Sequence, residues 1–149
     1  MRHVLSRAPA VIMRAAGVGL ALATVCLSRG DAAAAGKYDG SARMLCVPTI
    51  VVECAAEGPD ADCKRRTPDA VNLPQFLDVD LKAMTVEAEG GGRKSPVRTV
   101  DHLNDTLIIQ GGQDGRGWTL AIAEQTGRMS GAVSAHSEGF VIFGACTLP

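Results

Sequence analysis

The chain has 149 residues, of which 46% are hydrophobic and 21% are charged, and its formal net charge at neutral pH is −1. This length fits a single modest domain. Residues 36–149 carry 11 Lys and Arg against 15 Asp and Glu, whereas a nucleic-acid-binding domain is expected to be basic. No apolar run in that part approaches the roughly 20 residues that cross a bilayer. We therefore expect neither a nucleic-acid binder nor a transmembrane segment there.

The first 35 residues have the pattern of a secretory signal peptide. A basic start extends to Arg14, a thirteen-residue apolar run occupies 15–27, and small residues for a cleavage site occupy 32–35. The run is too short for a membrane anchor. A lipid anchor on Cys26 is an alternative, but the residue before it is Val25 rather than a small one. The sequence thus predicts export to the periplasm or the extracellular space, with the remaining domain at 36–149.

Four cysteines follow the signal peptide, and their number and spacing indicate disulfides. An even number of cysteines in an oxidising compartment is most often paired. A zinc site needs two close pairs, typically with two residues between the cysteines of each pair. The sequence has no such pair, and no CxxC redox motif. The four cysteines predicted to form disulfides are Cys46, Cys54, Cys63 and Cys146.

The separations between these cysteines restrict their pairing. Cys46 and Cys54 bracket the β-branched run PTIVVE, and as a strand this run would hold them roughly 26 Å apart. A disulfide needs Cα atoms within about 7 Å, so this pair is excluded. We favour Cys54–Cys63, joined across the Gly58-Pro59-Asp60 turn signal, together with Cys46–Cys146. The other pairing, Cys46–Cys63 with Cys54–Cys146, stays open.

The first half of the domain predicts strands separated by a polar connection. LCVPTIVVEC reads as a strand that Pro48 makes an edge strand or a bulged one. DCKRRTPDAVNLPQ reads as a polar connection, with a helical turn allowed in 68–74. FLDVDL then alternates apolar and acidic residues, and MTVEAE continues it after a bend.

The second half predicts a regular meander. Five alternating runs follow one another across short turns, of which Asp114-Gly115 is the strongest hairpin signal. The runs are VRTVDHL, TLIIQG, WTLAIAE, RMSGAVSA and FVIFGACT. We therefore predict an all-β fold, an antiparallel meander of about seven or eight strands that forms a small closed or flattened barrel. The alternative is a two-layer β-sandwich, and a Cys46–Cys146 bond favours the closed form.

Two observations concern the interior of this fold. Trp118 is in phase with Leu120 and Ile122, so we place it on the core face, where its N–H needs a partner. Small residues such as Gly131 and Gly144 are common in the last strands. Small side chains permit tight packing, and we expect them to leave no wide cavity for a bulky ligand.

The C-terminal half resembles a group of exported bacterial proteins. It joins a GRGW turn, a TG hairpin and a final GFVIFGACT strand, and it looks like small exported β-rich proteins of unassigned function. The resemblance implies export and a β-rich fold, and no activity. The periplasmic inhibitors of C-type lysozyme, which are small disulfide-bonded β-barrels, carry an SGxxY pattern. Here Ser130-Gly131 is followed by Ala132 and Val133 without a tyrosine, so no residue role is transferred.

We find no catalytic constellation, and we expect no enzymatic activity, cofactor or metal. His102 lies near Asp101 and Asp105 in the sequence, but a polar strand end beside a turn accounts for all three. Asp78 and Asp80 share one strand face, as glycosidase carboxylates could, and a solvent-exposed face accounts for them equally well.

Two classes of function remain, and a basic cluster offers one candidate surface. The first class is an exported, non-catalytic binding or interaction module of the cell envelope, and an inhibitor of a lysozyme-like hydrolase is one form of it. The second is a carrier that holds a small ligand in the barrel interior. Its partner is accordingly an envelope protein or a small ligand. Lys64, Arg65 and Arg66 form a basic cluster beside Cys63, and they could contact an anionic surface.

Overall fold

The computed structural model describes residues 36–57, 60–90 and 92–149. The predicted signal peptide and Gly58-Pro59 of the predicted turn lie outside these residues. The described part contains nine strands and one short 3-10 helix, Asp69–Val71. The strands are β1 Met44–Glu57, β2 Asp60–Arg66, β3 Leu77–Asp80, β4 Thr85–Ala88, β5 Lys94–Leu103, β6 Thr106–Gln113, β7 Arg116–Ala123, β8 Arg128–Ser134 and β9 Glu138–Thr147. None of the described residues forms a helix long and apolar enough to cross a membrane.

Eight of these strands close into an antiparallel barrel, which confirms the predicted fold class and the closed form. Each strand from β3 to β9 pairs with the next one along the chain, and β1 joins β9 to β3. Closure depends on the length of β1. One edge of β1 runs along β9 from Leu45 to Ala55, and the other edge pairs with β3 at 44–46. A barrel leaves no open edge among these eight strands.

A β-bulge bends β1 where the sequence predicted it. The register with β9 shifts between Pro48, which faces Gly144, and Ile50, which faces Phe143. Proline has no N–H for a ladder hydrogen bond, so it is found at such irregularities. The bulge lets one long strand follow the curvature of the barrel.

The ninth strand, β2, corrects the sequence analysis. Residues 62–66 were expected to belong to the polar connection DCKRRTPDAVNLPQ, but they lie in β2, which pairs with the second half of β1, from Val51 to Glu57. Asp62 to Arg66 are all exposed, and four of these five residues are charged. The alternation is too short to predict a strand, and backbone pairing with β1 together with the Cys54–Cys63 bond holds this segment.

The inward side chains of the barrel form one core. Fully buried residues include Met44, Leu107, Ile109 and Ile122. They alternate with outward residues along each strand, as the pleat requires. Val141 and Phe143 lie on the outer face of β9 and are 42% and 43% exposed.

Both predicted disulfides are present. Cys46–Cys146 joins β1 to β9 within the core, at directly opposed positions. Cys54–Cys63 joins β1 to β2, also at opposed positions, in the β1–β2 hairpin. These bonds are consistent with an oxidising environment.

Residues 36–40 cover one end of the barrel. Gly36 is buried against Glu124, so closely that a Cβ atom on residue 36 would lie 2.4 Å from the Glu124 Cβ. The Tyr38 N–H donates to the Glu124 carbonyl at 2.8 Å. Asp39 accepts the Ser41 N–H at 2.9 Å, and this bonding to Ser41 lowers the pKa of the Asp39 carboxyl. We refer to this as the closed end.

Candidate functional site

The opposite end of the barrel contains a cavity of about 780 Å³. At this end of the barrel β4 ends, β5 and β9 begin, and the β6–β7 and β8–β9 hairpins turn. The apolar walls of the cavity include Val51, Val86, Leu120, Val133, Phe140 and Ile142. We refer to it as the mouth cavity. The expectation that small residues leave no wide cavity was wrong.

Three inward glycines each lie beneath a large side chain. Gly111, Gly131 and Gly144 each face a large residue on the neighbouring strand: Trp118, Leu120 and Met129. A Cβ atom on each glycine would lie 2.2, 2.6 and 2.9 Å from that large side chain, respectively. The large side chain therefore occupies the space over the glycine, so each of these pairs supplies one inward side chain where two other residues would supply two.

Trp118 lies in the wall of the mouth cavity, half-buried, with its indole ring over Gly111. Its Nε1–H donates to the Ser95 Oγ at 2.7 Å. The predicted core-facing position and the predicted need for a partner are both confirmed. The Ser95 hydroxyl keeps its own proton for another acceptor, so the pair offers one polar group in a wall that is otherwise mostly apolar.

The segment around the 3-10 helix forms one side of the mouth. Val71 and Leu73 pack against the core, and the Leu73 N–H donates to the Pro68 carbonyl at 3.0 Å. Arg93, from the β4–β5 loop, donates to the Asn72 carbonyl. These contacts tie two loops together. Because neither loop is part of a strand ladder, this is the least regular part of the cavity wall.

The rim of the mouth carries charges of both signs. Arg116 lies 3.3 Å from Glu138, and Arg66 lies 2.8 Å from Glu53. Among the described residues, no carboxylate lies within 4.0 Å of Arg93, which also lines the cavity. The rim is therefore polar and largely neutralised by pairing, whereas the interior is apolar.

The structure divides the basic cluster between two faces of β2. Lys64 and Arg66 alternate with Arg65 along the strand, so they lie on the opposite face from it. Lys64 lies 2.5 Å from Asp62, and Arg66 pairs with Glu53 at the rim. Arg65 shares a face with the Cys54–Cys63 bond. The predicted interaction surface is consequently not one continuous basic patch.

The candidate catalytic residues have structural contacts. Asp78 pairs with Arg43, and the Asp80 Oδ1 accepts the Ala83 N–H at 2.9 Å in the β3–β4 turn. His102 contacts Glu124 at the closed end, with 2.7 Å between Nδ1 and Oε1. In the described ranges, no group of three or more His, Cys, Asp and Glu is placed to hold a metal ion.

Sequence reasoning missed Glu124, a buried carboxylate with 7% exposure. A signal for it existed, because Glu124 directly follows β7 and continues the inward phase of Trp118, Leu120 and Ile122. The sequence did not show which side chain would contact this carboxylate. The contact with His102 depends on β5 and β7 curving towards each other at the closed end of a barrel.

A second concavity of about 580 Å³ lies on the outside of the barrel. Small residues from β6 to β9 form its floor, and Phe143 stands at its side. It is a hollow in the curved outer surface, separate from the mouth cavity.

These features define an eight-stranded barrel that is covered at one end and has an apolar cavity at the other. Comparisons of the chain with protein-family models, with curated proteins and with solved structures give no significant match. The resemblance of the C-terminal half to small exported proteins therefore stays a prediction.

Proposed function

We propose that this protein is an exported, non-catalytic binding module that carries a small apolar or amphipathic ligand in the mouth cavity. One observation carries the proposal: an apolar cavity of about 780 Å³ opens at one end of a barrel whose other end is covered. Ligand pockets commonly measure about 300–1,000 Å³ and have mainly apolar walls with a few placed polar groups. The Trp118–Ser95 pair and the paired charges of the rim supply those polar groups.

The size and lining of the cavity restrict the ligand. Apolar walls stabilise an apolar body by roughly 25 cal/mol per Å² of surface removed from water. A charged group in the interior would have no counter-charge, so any charge on the ligand belongs at the rim. The proposed ligand is thus a compact apolar molecule, or one with a single polar end that stays at the mouth.

The chain offers its own fluorescent probe, because Trp118 is its one tryptophan. Titration of the purified, oxidised protein with fatty acids and with flat aromatic compounds should shift or quench the tryptophan emission at a saturable stoichiometry of one. Native mass spectrometry before and after organic extraction should reveal any ligand retained through purification.

A matched pair of variants distinguishes ligand binding in the cavity from a general effect of adding an aromatic ring. Val133→Phe fills the cavity from the wall, whereas Val141→Phe adds the same ring on the exposed outer face of β9. We expect the first variant to weaken binding at least tenfold and the second to leave it unchanged. Equal binding by both, or the lack of any saturable ligand, would refute the carrier.

A second candidate, an envelope interaction module, is favoured by the outer face of β9. Val141 and Phe143 are adjacent there and both are more than 40% exposed. Exposed apolar groups that lie together often mark contact sites. C-type lysozyme is a defined probe for the inhibitor form of this candidate. Val141→Lys/Phe143→Lys should abolish capture of a true partner while ligand binding in the mouth cavity persists.

A further inference from the structure

Among the nine strands that the structure describes, β2 alone has an open edge. Within the described residues it pairs only with β1, whereas the eight barrel strands each have two neighbours. Asp62 to Arg66 are exposed, and the Cys54–Cys63 bond fixes β2 to β1 in the middle of the hairpin. An open edge presents a row of N–H and C=O groups that can pair with another strand.

The hydrogen bonds of β1 identify which backbone N–H and C=O groups of β2 face this open edge. The Ala56 N–H donates to the Ser137 carbonyl at 3.0 Å, so it points towards β9. Because backbone groups alternate sides along a strand, those of Cys54 also point towards β9, away from β2. The Cα atoms of Cys54 and Cys63 are 4.1 Å apart, close to the value of about 4.5 Å for a pair without hydrogen bonds. Cys63 and Arg65 therefore direct their backbone groups to the open edge.

The charges on β2 reverse about Cys63. Asp62 precedes it and Lys64 follows it, and their side chains are 64% and 61% exposed. If a second β2 strand lies antiparallel with Cys63 opposite Cys63, each Asp62 faces the Lys64 of the other copy. The same register lets the two Cys63 residues exchange both of their backbone hydrogen bonds. One arrangement thus gives the backbone groups hydrogen-bond partners and places opposite charges next to each other.

We propose that two copies of this protein associate through antiparallel pairing of their β2 strands, on a two-fold axis at Cys63. A uniformly acidic partner strand would place a carboxylate opposite Asp62, and a uniformly basic one would place a cation opposite Lys64. A second copy opposes both residues with the opposite charge, and its contacts are duplicated by symmetry. Exposed ion pairs contribute at most about 1 kcal/mol each, so the dimer is weak and forms at high protein concentration.

Charge exchange tests this register. In analytical ultracentrifugation at low salt, the purified, oxidised protein should approach twice its monomer mass as concentration rises towards the millimolar range. Asp62→Lys alone and Lys64→Asp alone should each be monomeric, because like charges then face each other. An equimolar mixture of these two variants should form a one-to-one dimer, and the double variant Asp62→Lys/Lys64→Asp should dimerise by itself.

Arg65 gives an independent test of the backbone pairing. Arg65→Pro removes an N–H that points to the open edge and leaves the hydrogen bonds between β1 and β2 in place, so it should abolish the dimer. Arg65→Ala retains that N–H and should dimerise. Circular dichroism and unchanged melting verify that both variants are folded. A wild-type protein that is monomeric at millimolar concentration, or a dimer indifferent to the charge exchanges and to Arg65→Pro, would overturn the proposal.

Discussion

The Cα atoms of Cys46 and Cys146 lie 3.9 Å apart across β1 and β9, in the strand pair that closes the barrel. The bond joins positions 100 residues apart in the sequence. The Cys54–Cys63 bond joins positions 9 apart and holds β2, which is not one of the eight barrel strands, to β1. The two disulfides therefore restrain different parts of the fold.

We expect the loss of Cys46–Cys146 to destabilise the whole domain, because it frees the first and last barrel strands together. By loop-closure entropy, a loop of about 100 residues corresponds to about 4.7 kcal/mol and a 15-residue loop to about 3. Denaturant unfolding of Cys46→Ala/Cys146→Ala should show a larger loss of stability than that of Cys54→Ala/Cys63→Ala. The second variant should instead show fast amide exchange confined to β2. A reversed order of stability would contradict the closure role.

Gly111→Ala should destabilise the protein by about 1–3 kcal/mol, because the added methyl group would overlap the Trp118 indole. The displaced ring should also change its fluorescence emission. Gly117→Ala is the matched control: it lies on the neighbouring strand, and its nearest contact would be an ordinary 3.6 Å from Ser134. Similar losses in both variants would show that the cost comes from the strand backbone and not from the ring.

Ser95→Ala should cost about 1 kcal/mol, since it removes the hydroxyl that accepts the Trp118 N–H. Ser95→Thr retains the hydroxyl and serves as its control. The variants are compared by denaturant unfolding and by the emission maximum of Trp118. An unchanged emission maximum in Ser95→Ala would mean that the hydrogen bond does not fix the position of the ring.

His102→Ala should destabilise the closed end by about 1–3 kcal/mol, because it leaves the buried Glu124 carboxylate without its side-chain partner. His136→Ala, an exposed histidine at the other end of the barrel, is the control. A double-mutant cycle with Glu124→Ala isolates the pair, and we expect a coupling of at least 0.5 kcal/mol. Additive losses would assign the effect to packing instead of to the contact.

Alternation in the sequence was sufficient to predict most of the barrel. Runs such as WTLAIAE separate inward from outward residues because the strand period is two. Hairpin turns then follow from residues that tolerate positive φ, as Asp114 and Gly115 do at 53° and 75°. The reach of an extended chain excluded only Cys46–Cys54, and the Gly58-Pro59-Asp60 turn signal favoured the pairing that the structure contains. With that pairing came the meeting of the first and last strands.

Two features of the fold depended on tertiary structure alone. Four of the five residues from Asp62 to Arg66 are charged, so no apolar pattern predicts β2, and its strand conformation comes from pairing with β1. The His102–Glu124 contact joins β5 to the residue that directly follows β7, and these two strands are not paired neighbours, so the contact exists only because the sheet curves into a barrel.

The mouth cavity is a third feature that the sequence alone did not predict. Composition counted Gly131 and Gly144 as small residues and therefore as sites of tight packing. The register of neighbouring strands places a large side chain over each of them, and another over Gly111. The sequence by itself determined which residues face inward. How much space they leave was decided by which inward residues stand side by side, because interior volume is a property of the closed barrel and not of any single strand.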